Sequence, residues 1–106
     1  MKIQFNTDKN IQGHEALETR VSGMIEHSLA HVATHLTRVE VHLSDTNAAK
    51  GGDDDKRCTL EARLEHERPV GVSHEDKNVE KAVRGACDKL KSRLEGIIER
   101  RRNHQT

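Results

Sequence analysis

Apolar positions along this chain switch between a spacing of about two and a spacing of about 3.6 residues, and each switch marks a change of element. Residues 2–6 alternate, with Ile3 and Phe5 on one side and Lys2, Gln4 and Asn6 on the other, which predicts a short half-buried strand. Residues 6–10 are polar and turn-like. A helical stripe follows, built from Leu17, Val21, Met24, Ile25, Leu29 and Val32, and predicts a helix from about residue 13 to about residue 33. Glu15 and Glu18 near its start suit the positive end of the helix dipole. Gly23 inside it costs about 1 kcal/mol relative to Ala.

From Leu36 the spacing returns to two. Val39, Val41 and Leu43 point inward, while Arg38, Glu40, His42 and Ser44 point out. Residues 45–55 form a loop rich in Asn, Gly and Asp. A second long strand then sets Cys58, Leu60, Ala62 and Leu64 against Arg57, Thr59, Glu61, Arg63 and Glu65. Residues 66–69 make a turn, with Pro69 suited to a strand start or edge, and Val70, Gly71 and Val72 form a third antiparallel segment. Residues 74–76 lead into a long second helix whose start Ser73 or Asp76 would cap. Its stripe is Val79, Val83, Ala86, Leu90, Leu94 and Ile97.

The element order is therefore β-α-β-β-β-α. Strands with one polar face and helices with one apolar stripe each satisfy one another in an α+β, two-layer sandwich: a four-stranded sheet with two helices packed on one face. Residues 1–106 make a single domain with no internal repeat.

Composition narrows the chemistry. Apolar residues are 32% of the chain and Phe5 is its sole aromatic, so the core is Val, Leu, Ile and Ala, with little room for an enclosed apolar ligand pocket. No run of 18 apolar residues suggests a membrane span, and the N-terminus lacks the apolar segment of a signal peptide. Cys58 falls on the inward phase of its strand and Cys87 beside the helix stripe, and both read as reduced, buried thiols, with a disulfide between them as the lesser alternative. A cytoplasmic protein without cofactor is the expectation. No phosphate-binding Gly-rich loop, nucleophile elbow or His-Glu-x-x-His motif is present, so an enzyme is not expected.

Charge changes the picture most. The formal net charge is zero, but residues 77–102 hold nine Lys and Arg against four Asp and Glu, a local +5, while residues 1–76 hold nine against fourteen, a local −5. On a helical wheel of about 100° per residue, Lys77, Lys81, Arg84 and Lys91 fall opposite the apolar stripe, and Lys89 and Arg93 flank it. A basic outer face suggests a polyanion partner. The plainer reading is a solvated surface laced by Arg84–Asp88 and Lys91–Glu95 pairs. The polar sheet face offers a second surface through Lys2, Arg38, His42, Arg57 and Arg63. It is interrupted by Glu40 and Glu61, and cross-strand ion pairing explains it equally well. No aromatic residue stands ready for base stacking, which favours recognition of shape and phosphate over sequence. His27, His31 and His35, spaced by four, and the run Asp53, Asp54, Asp55 are weak metal candidates that lack a full ligand set.

The opening Met1-Lys2-Ile3-Gln4, the Arg38-Val39-Glu40-Val41-His42-Leu43-Ser44 strand, and Asp88-Lys89-Leu90 followed by Leu94 resemble the ribosome hibernation-promoting factor and ribosome-associated inhibitor family, in its short form. The resemblance spans essentially the whole chain. Arg93 stands where the family's Lys-Leu-x-x-Gln-Leu signature has Gln, and Glu80 and Val83-Arg84 replace the Tyr and Ile-Asp often found there. The resemblance implies a non-catalytic factor, monomeric off the ribosome. It would bind the small subunit and its rRNA in the mRNA and tRNA channel and block translation in stationary phase or stress. With the basic pattern it makes Lys77, Lys81, Arg84, Lys89, Lys91, Arg93, Arg38 and Arg63 the expected rRNA contacts. The alternatives are a generic double-stranded-RNA-binding module and, less favoured, a small acylphosphatase-like hydrolase.

Overall fold

A computed structural model describes residues 1–7, 14–45 and 56–104. The predicted turn after the first strand, the loop at residues 46–55 with its three aspartates, and residues 105–106 lie outside the described residues. Four strands, β1 (Lys2–Thr7), β2 (Leu36–Asp45), β3 (Lys56–Leu64) and β4 (Val70–Asp76), form one sheet in that order. β1 pairs parallel with β2; the β2–β3 and β3–β4 pairs are antiparallel. A parallel pair needs a crossover, and helix α1 (His14–Ser28) supplies it. Helix α2 (Val79–His104) lies over β3 and β4 and also touches α1. The expected two-layer α+β arrangement is borne out.

The core is the set of inward residues read from the patterning. Val21, Ile25, Leu29, Val39, Val41, Leu60, Val83, Leu90 and Leu94 are wholly buried, and no polar or charged side chain is buried with them among the described residues. Each such aliphatic side chain contributes about 1.5–3 kcal/mol of transfer free energy, so a core without an aromatic centre still holds two layers together. Phe5 is only half-buried, on the edge strand β1.

Three boundaries differ from expectation. The first helix ends at Ser28, not near residue 33, and the chain tightens into a 3₁₀ segment, Ala30–His35. Leu29 leaves the helical region at φ −104° and ψ 11°, and the Val32 N–H donates to the Leu29 carbonyl over three residues at 3.0 Å. The tighter winding lets Leu29, Val32 and Leu36 all enter the core. Leu36 and Val39, an odd number of residues apart, both face inward because the β2–β3 register shifts between Leu36 and Arg38. β4 runs on to Asp76, beyond Val72, because its later inward positions are the polar His74 and Asp76, which hide the alternation. The cap of α2 is accordingly neither Ser73 nor Asp76 but Asn78, whose side-chain oxygen accepts from the Lys81 N–H at 2.9 Å. At the far end of the stripe Ile98 is buried and Ile97 half-buried.

Candidate nucleic-acid interface

Helix α2 owes its orientation to its apolar stripe, which docks on β3 and β4 and turns the opposite side outward. His74, facing inward from β4, sets how closely it docks. A Cβ on Gly85 would overlap the His74 ring, so the absence of a side chain there lets strand and helix close on each other. His74 is held from behind by Asp76, 3.2 Å from its ring nitrogen.

The outward side carries Lys81, Arg84 and Lys91, all exposed. None of the three makes an ion pair or a side-chain hydrogen bond among the described residues. The Arg84–Asp88 and Lys91–Glu95 pairs of the plainer reading are not formed there. Glu95 turns instead to His31 at 2.7 Å, and Glu80 to Arg20 at 2.8 Å, so two carboxylates of α2 are spent on α1 and the 3₁₀ segment after it. Lys81 and Lys91 stand ten residues apart, about 15 Å along the axis. Lys77 lies in the connector before α2, not on the helix as its wheel position assumed, because β4 continues to Asp76; it is exposed there.

Lys89 and Arg93 behave differently. Lys89 Nζ donates to the Ser73 carbonyl at 2.9 Å and the Arg93 guanidinium to the Gly71 carbonyl at 2.8 Å. Both therefore fold over the free edge of β4, where cationic side chains discourage strand addition, while keeping further donors for a ligand.

The sheet's solvent face is a closed network. Arg38 reaches Glu40 at 3.4 Å, Arg63 reaches Glu40 at 3.3 Å and Glu61 at 3.1 Å, and Arg57 pairs with Glu75. Arg38 and Arg63 are thus brought together, but on a shared carboxylate, Glu40. Arg38 Nε is buried without a hydrogen-bond partner.

Neither thiol chemistry nor a metal centre competes for this site. Burial pushes the Cys58 thiol up to about 12, with Cys87 adding to it, and burial pushes Cys87 to about 11 against an opposing hydrogen bond with Ser28. Both are free and buried, and such thiols are poor nucleophiles. No group of three or more His, Cys, Asp or Glu is arranged for a metal among the described residues. No described helix is long and apolar enough to cross a membrane.

One feature escaped the one-dimensional pattern. A cleft of about 520 Å³ lies between α1 and α2, and His27, His31, Arg84, Asp88 and Lys91 are on its walls. The four-residue histidine spacing hinted at a shared face, but only the packing of two distant helices shows what that face meets.

A family model described as sigma 54 modulation protein / S30EA ribosomal protein matches residues 5–102. Among solved structures, the N-terminal domain of Thermus thermophilus Protein Y superposes with a TM-score of 0.66 at 20% identity, covering 92% of this chain and 99% of that one. A ribosomal subunit interface protein from Coxiella burnetii gives a TM-score of 0.69 at 16% identity, covering 93% and 99%. At such identities these likenesses speak for the fold alone. No curated protein matches the chain.

Proposed function

The chain belongs to the sigma 54 modulation protein / S30EA ribosomal protein family, and from that premise we propose that it is a non-catalytic factor that binds the small ribosomal subunit through its rRNA. It occupies the channel used by mRNA and tRNA and holds translation down during stationary phase or stress. The observation that carries this reading is the outer side of α2, where Lys81, Arg84 and Lys91 are exposed on a docked helix and none of them forms an ion pair among the described residues. Cations left unpaired by the fold are available to phosphates, and neutralising phosphates releases condensed counterions. A closely packed Val, Leu and Ile core fixes their spacing, so their ordering is already complete before binding. Lys77 adds charge at the helix approach, and Lys89 and Arg93 extend the surface to the β4 edge. The protein acts in the cytoplasm, where ribosomes are, and is a monomer off them.

Sucrose-gradient sedimentation of stationary-phase extracts tests this. At low salt the protein co-migrates with small subunits or whole ribosomes, and raising salt strips it off. Recovery only at the top of a low-salt gradient refutes the proposal. Equal affinity for intact subunits and for plain RNA hairpins refutes the small-subunit assignment and leaves a generic duplex binder.

A further inference from the structure

We propose that the cleft between α1 and α2 is a proton-tuned phosphodiester site, which holds an RNA backbone phosphate more tightly when His27 and His31 are protonated and more weakly when they are neutral. This rests on the RNA-binding reading of α2 and adds to it a regulated contact.

The argument is one of charge balance. On the α2 wall stand Arg84 and Lys91 with Asp88; on the α1 wall stands His27, and in the 3₁₀ segment after it His31, 2.7 Å from Glu95 of the adjoining groove. With both imidazoles neutral, two cations meet one carboxylate and the cleft lining carries +1; with both protonated it carries +3. The neighbouring groups do not upset this balance. Arg20 and Glu80 form an ion pair between the same two helices, and in the adjoining groove Glu99 and Arg102 bring one charge of each sign beside His35. Imidazole is the side chain whose charge changes in the physiological range, so protons set how strongly this cleft attracts an anion. His31 has a second role in the tuning. Once protonated it satisfies Glu95, which withdraws that carboxylate from the repulsion a phosphate would meet. His27 is exposed and makes no ion pair or hydrogen bond among the described residues, so it is the donor left for a ligand. The cleft opens to solvent, with Met24, Ala30 and Cys87 lining it beside the charged groups, and its Arg84 guanidinium donates from a planar fork that suits phosphate oxygens.

The test is the affinity of the full chain for purified small ribosomal subunits at about pH 6 and about pH 8. Affinity rises about tenfold at the lower pH, and the slope of log affinity against log salt steepens by about one to two, since each added phosphate contact contributes about 0.9. In the doubly substituted His27→Gln, His31→Gln protein the ratio between the two pH values falls to about one, while His66→Asn, in the exposed turn after β3, keeps the wild-type ratio. A wild-type ratio of one overturns the proton tuning but leaves the ribosome reading intact; no binding at either pH overturns both. Retention of the full ratio in the double variant also overturns it. As a second measurement, the histidine resonances of the wild-type protein are titrated with a plain RNA duplex and with inorganic phosphate. The midpoints of His27 and His31 move to higher pH with the duplex. An equal move with inorganic phosphate alone assigns the cleft to small anions and overturns the RNA assignment.

Discussion

The outer side of α2 and the open face of the sheet carry similar cations, yet the fold uses them in opposite ways. Arg38, Arg63 and Arg57 sit on neighbouring strands, where Glu75 stands opposite Arg57, Glu40 lies diagonally across from Arg63, and Glu40 and Glu61 lie two residues along the strand from Arg38 and Arg63. Their charge is spent inside the molecule. Lys81, Arg84 and Lys91 sit on a helix whose own carboxylates are diverted, Glu80 to Arg20 and Glu95 to His31. Their charge is not paired within the described residues. Counting basic residues does not separate the two surfaces; knowing where each acid goes does. A sheet brings like-phased residues from different strands side by side and so favours neutralisation. A helix can hand its acids to a neighbouring element and keep its bases.

Reversing charge on each surface breaks the comparison if it is wrong. Lys81→Glu with Arg84→Glu lowers affinity for small subunits on the order of a hundredfold at physiological salt, with stability unchanged to within about 0.5 kcal/mol. Arg38→Gln with Arg63→Gln does the reverse. Glu40, only 19% exposed, loses both cations, so the fold loses about 1 kcal/mol, while affinity changes by less than about threefold. Filter binding and urea denaturation on the same preparations read both quantities. Equal losses of affinity from the two surfaces would return the sheet face to the interface.

The seat of the helix can be disturbed without touching a charge. Gly85→Ala gains about 1 kcal/mol of intrinsic helix propensity but drives a methyl group into the His74 ring. Overpacking costs typically 1–3 kcal/mol, and an imidazole wedged between strand and helix has little room to swing aside, so a net loss of about 1–2 kcal/mol is expected in urea denaturation. Adding His74→Ala recovers most of it. A stabilised single variant would mean that α2 does not rest on His74.

What was legible in the sequence divides along the same line. Every strand and both helices announced themselves through apolar spacing, because one buried face per element is a local property of the chain. Polar residues in inward positions blurred the edges: His74 and Asp76 concealed the end of β4 and so shifted the apparent start of α2, moving Lys77 off the helix. Leu29 and Val32 kept an inward phase through the change from α to 3₁₀ winding, so the end of α1 was invisible. The basic face of α2 was legible for the same reason its stripe was. The destinations of Glu80 and Glu95 were not, because each pairs with a residue about sixty positions away, and spacing within a helix suggests only partners within the same helix. The cleft with His27 and His31 depends on that same long-range packing.

The smallest effect lies at the seam between the two surfaces, at Asp76. The Lys77 backbone N–H, 2.8 Å from its carboxyl, holds that group below the usual carboxylate range; a hydrogen bond and the charge of His74 work in the same direction, as does the charge of Lys81, against an opposing contribution from burial. A carboxyl that ionises more readily in the folded chain than in the unfolded one stabilises the fold above its unfolded value of about 3.9. That contribution is lost as pH falls through the lower, folded-state value. The unfolded chain binds the extra proton in this window, so stability falls with falling pH. Asp76→Asn preserves a side-chain oxygen for the Lys77 N–H but removes the titration, so the acid limb of its stability profile is shallower than the wild type's below about pH 4. Urea midpoints compared across that limb measure the difference, and superimposable limbs would show that Asp76 adds nothing. Lys81→Glu makes the comparison sharper. It leaves the carboxyl and its backbone bond in place and reverses one nearby charge, so the acid limb flattens only in part. The same side chain that is proposed to meet phosphate then proves to have a weak tie to the sheet.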